Sequence, residues 1–101
     1  MFGVRVLEAD GALVEKTVAD RNFNPVLKGI DAHDYPVLGT LDPYGDTALN
    51  YLQCELLIRE LERGAELLMQ AGVQEDSIAE LARMCRLTRA KPHRKLLFIG
   101  D

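Results

Sequence analysis

Five residues in the first half of the chain are of the types that acid–base or metal chemistry uses. Asp31, His33 and Asp34 lie close together, and Asp42 and Asp46 follow a few residues on. Carboxylates and an imidazole gathered in one place could ligate a divalent cation or pass a proton. The spacing argues for something simpler. Aspartate is favoured in turns and at helix caps for local reasons, and one histidine without companions at fixed spacing is not a metal motif. No Walker loop, glycine-rich dinucleotide turn, paired Cys-x-x-Cys or serine elbow is present. The sequence therefore assigns no catalytic residue, metal ligand or cofactor. A small metal-dependent enzyme built on these five residues stands only as the alternative reading.

Charge is the most uneven feature of the chain. Residues 1–82 hold six Lys or Arg against fifteen Asp or Glu, whereas residues 83–101 hold six against one. The basic run is Arg83, Arg86, Arg89, Lys91, Arg94 and Lys95, with His93 among them. Cations near a helix C-terminus are favoured by the dipole, and the preceding helix offers an acidic face. A solvated or internally paired patch is thus the first reading, with phosphate or nucleic-acid binding through residues 83–95 and an acidic partner protein as the alternatives. Against nucleic acid, aromatics do not interleave the run and the whole chain carries −4. Cys54 and Cys85 fall on apolar helical positions and read as buried free thiols suited to a reducing compartment, with a bridge between two antiparallel helices as the other option.

The elements that must position these residues are organised by one long helix, expected from about Asp46 to Ala71. Tyr51, Cys54, Ile58, Leu61, Ala65 and Leu68 recur at steps of three and four, which puts them on one stripe with Leu57 at its edge. Glu55, Arg59, Glu62, Arg63, Glu66 and Gln70 fall on the other side. Leu49, Leu52 and Leu56 form a second apolar row, so the first half of the helix needs cover on two faces. The segment from Asp20 to Gly45 is the expected cover, with a second subunit as the competitor. That segment is broken by Pro25, Pro36, Pro43, Gly29, Gly39 and Gly45, and Asn24-Pro25 with Gly29 predicts a single helical turn inside it. Asp42-Pro43-Tyr44-Gly45 predicts a turn, after which Asp46 caps the helix.

Residues 4–9 and 12–18 flank Asp10-Gly11 and predict a β-hairpin. Val4 and Val6 share one face, Ala12, Val14 and Val18 join them, and Arg5, Glu15 and Thr17 point outward. Gly72 ends the long helix. Ser77 and Glu80 fit a capping box opening a second, antiparallel helix that buries Ile78, Leu81, Ala82 and Cys85 and ends by Ala90 ahead of Pro92. Leu96 to Ile99 reads as a buried strand antiparallel to the first, and Asp101 just beyond it is expected to pair with a nearby arginine. The prediction is a single α+β domain with the order β-β-α-α-β, a small antiparallel sheet of hairpin plus C-terminal strand packed on two helices. A chain of 101 residues can bury a core of its own. No apolar run approaches the roughly 20 residues needed to cross a bilayer, and the expectation is a cytoplasmic protein.

DPYGDT before the long helix, the L-x-x-EL spacing inside it and PHRKLLFIGD at the end resemble a family of short uncharacterised bacterial proteins that finish in FIGD. The resemblance covers scattered pieces of residues 35–101 and implies a bacterial cytoplasmic protein with no assigned substrate. The functional expectation is a non-enzymatic protein-interaction module, immunity-type in one version, that engages a protein partner or a second copy of itself. Its candidate contact residues are Tyr44, Leu49, Leu52 and Leu56 together with the basic run from Arg83 to Lys95.

Overall fold

The computed structural model describes residues 1–101. Strands β1 (Gly3–Leu7) and β2 (Leu13–Val18) form the N-terminal hairpin, β3 spans Asp46–Leu49, and β4 spans Lys95–Ile99. Helices α1 (Tyr51–Arg63), α2 (Ala65–Gln70) and α3 (Glu75–Arg89) lie between β3 and β4 in sequence. The four strands make one antiparallel sheet in the order β2-β1-β4-β3. The fold is α+β, and the last strand runs antiparallel beside the first as its composition suggested.

The sheet has four strands where the sequence suggested three, because the expected helix starts later. Asn50 and Gln53 form a reciprocal capping box: Asn50 Oδ1 accepts from the Gln53 amide at 3.0 Å, and Gln53 Oε1 accepts from the Asn50 amide at 2.9 Å. This box fixes the helix start at Tyr51 and frees Asp46–Leu49 to pair with β4. Asp46 is consequently an exposed strand residue and not a cap. Leu49 lies opposite Leu96 and is buried, so its row with Leu52 and Leu56 does not exist. At the far end the long helix breaks at Gly64, where the Tyr35 ring packs so closely that a Cβ would come within 2.9 Å of it.

One face of the sheet carries the core. Val4 faces Phe98, which faces Thr47, and Val6 faces Leu96, which faces Leu49. Phe2, Phe23 and Phe98 meet above them with ring centroids 5.9 to 6.3 Å apart. Cys54, Leu57 and Leu61 of α1 and Leu81, Met84 and Cys85 of α3 close the same cluster. The hairpin's second arm is registered one residue away from the expectation. A bulge between Val6 and Leu7 takes up Val14, after which Glu15 and Thr17 face the helices and Val18 turns outward, 63% exposed. Ala12 lies outside the strand, in the exposed turn.

The irregular segment is pinned in part: Phe23, Ile30, Val37, Leu38 and Leu41 are in the core, whereas Val26 and Leu27 of its helical turn are exposed. Its single helical turn is there too, with the Lys28 amide donating to Asn24 O and Gly29 at φ +84° closing the turn. Helix α3 starts two residues before Ser77, so the Ser77 capping box is not made. Asp20 takes its place from a distance. Its carboxylate accepts from the Gln74 amide at 3.0 Å while its own amide donates to Ser77 Oγ at 3.0 Å. The chain end is stitched to the DPYG turn: the Gly100 amide donates to Gly45 O and the Asp101 amide to Pro43 O. A Cβ on Gly100 would lie 2.6 Å from Asp42 and Pro43 backbone atoms, so only glycine allows this approach.

Candidate functional site

The five acid–base candidates do not converge. Asp31 Oδ1 accepts from the amides of His33 and Asp34 at 2.8 and 3.0 Å, and Asp42 Oδ1 accepts from the Tyr44 amide at 2.9 Å. Both are turn-forming aspartates satisfied by their own neighbours. No set of three His, Cys, Asp or Glu side chains comes together anywhere in the molecule to hold a metal ion.

The basic run is dispersed by the fold. Arg83 pairs with Glu15 of β2 and, at 2.6 Å, with Glu80. Its guanidinium hydrogen bond holds the Glu15 carboxyl below the ordinary carboxylate range. Arg89 lies 4.7 Å over the Tyr51 ring and donates to its hydroxyl at 3.1 Å. Arg94 is buried. Its Nε donates to Glu8 at 2.8 Å and its Nη1 to Leu87 O, near the end of α3, at 2.8 Å. The Arg94 hydrogen bond pulls the Glu8 carboxyl below its usual value. Arg83 and Arg94 fasten α3 to the sheet and its hairpin, and Arg89 fastens α3 to α1. Arg86, Lys91 and Lys95 remain exposed and outside every ion pair. Asp101 pairs with the N-terminal ammonium, where an arginine was expected.

Cys54 and Cys85 are free thiols and fully buried between α1 and α3. Contact with Cys54, reinforced by burial, pushes the Cys85 thiol up, which keeps it protonated and unreactive at neutral pH. A further buried polar group was not foreseen. Glu60 of α1 is 3% exposed and receives the amides of Val37 (3.0 and 3.1 Å) and Leu38 (2.9 Å). It anchors the 3-10 turn at Leu38–Thr40 to the helix. The only sequence signal was a glutamate on the loop-facing flank of α1.

The contact candidates separate into buried and open. Leu49 is buried, whereas Tyr44 is 72% exposed at the tip of the DPYG turn. Leu52 and Leu56 are 66% and 44% exposed, one helical turn apart on the side of α1 away from Cys54, Leu57 and Leu61. The irregular segment, the expected cover, leaves them open. No helix is long and apolar enough to cross a membrane. Comparison of the chain with protein-family models, curated proteins and solved structures found no match.

Proposed function

We propose that this chain is a non-enzymatic protein-interaction module that docks a protein partner on the outward row of α1. The exposed Leu52–Leu56 pair carries the reading. Two leucines at i and i+4 on a helix already held by its other face are the anchor pattern of helix-in-groove recognition. Covering both contributes about 2–4 kcal/mol at ordinary transfer values, enough to select a partner when polar contacts surround it. An immunity-type protein, small, acidic and neutralising a toxin domain by binding it in the bacterial cytoplasm, is the concrete version. A metal-dependent enzyme on Asp31, His33, Asp34, Asp42 and Asp46 has less support, since local amides already engage Asp31 and Asp42.

The test is affinity capture from the native host with the wild-type chain and with Leu52→Glu/Leu56→Glu. A partner retained by the first and lost by the second supports the module, provided both melt at the same temperature. Equal capture by the two proteins refutes the helix row. Stoichiometric heat on calorimetric titration with Mg²⁺, Mn²⁺ or Zn²⁺ would turn the reading to the enzyme.

A further inference from the structure

The helices cover one face of the sheet and leave the other open. Strand alternation places two complete rows across that open face. Lys16, Arg5, Leu97 and Ala48 form one, and Val18, Gly3, Ile99 and Asp46 form the next. Lys95 lies beyond them, opposite Leu7. The first row contains an anomaly: Arg5 and Lys16 are direct cross-strand partners on the same face. Like charges in that relation repel, and no carboxylate lies within ion-pair distance of either. In a chain with net charge −4, three cations from three strands have collected on one surface with Asp46 at its far edge. Beside them, Gly3 leaves a depression of about 430 Å³ flanked by Val18 and Ile99.

We infer that this open sheet face is a docking surface for an acidic protein segment, with a carboxylate of the partner seated between Arg5 and Lys16 and an apolar side chain in the Gly3 depression. Charge selects the occupant. A second copy offers the same face, three cations against the single carboxylate of Asp46, so two copies in contact would gather six cations with only two carboxylates. The face also carries no aromatic ring on which a nucleobase could stack. A carboxylate bridging the pair turns a repulsion in the free protein into an attraction in the complex, so partner discrimination is built into the register. The surface is independent of the α1 row, and either can fail alone.

The probe is a fluorescein-labelled peptide of about ten alternating Glu and Leu residues, long enough to cross a sheet of four strands spaced about 4.8 Å apart. The expected result is salt-sensitive binding, weakened about tenfold or more by Arg5→Glu/Lys16→Glu, with amide shift changes at Arg5, Lys16, Val18 and Ile99. Lys16→Glu alone lets residue 16 pair with Arg5. It should raise the melting temperature of the free protein by about 1–4 °C while weakening the peptide. No binding, binding indifferent to the charge reversals, or shift changes confined to α1 overturns the inference. So does a Lys16→Glu variant that melts no higher than wild type. Preference for oligouridylate, phosphatidylglycerol vesicles or the matched Lys-Leu peptide over the acidic one overturns it as well.

Discussion

Removing the Glu60 carboxylate tests whether the irregular segment is held by a specific contact or only by apolar packing. Glu60→Ala deletes the acceptor for two buried amides, those of Val37 and Leu38. Each donor left without a partner costs about 1–3 kcal/mol. Against this, alanine recovers a few tenths of a kcal/mol in helix propensity and the burial cost of the carboxylate disappears. The net loss is about 2–4 kcal/mol, a large share of the roughly 5–15 kcal/mol that holds such a domain together. At about 4–8 °C per kcal/mol in a domain of this size, the melting temperature should fall by roughly 10–30 °C. Glu60→Gln keeps one acceptor oxygen but turns an amide NH₂ toward the same donors, and should lose about half as much. Urea unfolding followed by circular dichroism gives the stability, and hydrogen exchange at Val37 and Leu38 shows where it was lost. A Glu60→Ala protein within about 0.5 kcal/mol of wild type, or one that keeps its protection at those two amides, refutes the reasoning.

Two further predictions concern titratable groups. Hydrogen bonds from the Asn22 and Gln74 amides hold the Asp20 carboxyl below its ordinary value of 3.8. A lowered carboxylate supplies stability that is fully present above its unfolded value and is lost as pH falls through the folded one. The urea midpoint should therefore drop between about pH 4 and pH 3 by less in Asp20→Asn than in wild type, and an equal drop refutes the assignment. Cys54 and Cys85, both 0% exposed, should be inert to a water-soluble maleimide in the folded chain and react fully in guanidinium. Labelling of the native protein at the rate of a free thiol would show that the α1–α3 interface opens.

The elements that the sequence announced correctly are those whose signal is local and repeated. Asp10-Gly11 marks the hairpin turn, the LLFI run marks the last strand, and the three-and-four spacing from Cys54 to Leu61 marks the helix face that is buried. β3 was missed because Thr47 and Leu49 alternate over only four residues, and Leu49 also continues the helical period of Leu52 and Leu56. What separates the two readings is Asn50 with Gln53, a cap written in Asn and Gln. The Asp46 beside it offered the more familiar signal. α3 shows the converse. Ser77 and Glu80 have the spacing of a capping box, but Asp20, more than fifty residues upstream, already holds the Gln74 amide and Ser77 Oγ. Local pattern cannot anticipate a cap supplied across the fold.

The same limit governs the surfaces. Arg83, Arg89 and Arg94 are neighbours in sequence, and proximity in sequence made them look like a patch. Along the second half of α3 and the turn after it they point in different directions, and each finds a partner on another element: Glu15, Tyr51 and Glu8. Arg5 and Lys16 show the reverse. Eleven positions apart and separated by the hairpin turn, they read individually as outward and ordinary, and only the register Arg5 to Lys16 makes them a pair. That register depends on the bulge at Val14, since without it each residue of the second arm would be displaced by one and its faces exchanged. Of the basic residues that the sequence concentrates at the C-terminus, Arg83, Arg89 and Arg94 are thus engaged inside the fold, while Lys95 joins Arg5 and Lys16 on the open sheet face through topology. A search for this protein's partner is better aimed at the open sheet face and the α1 row than at the basic run.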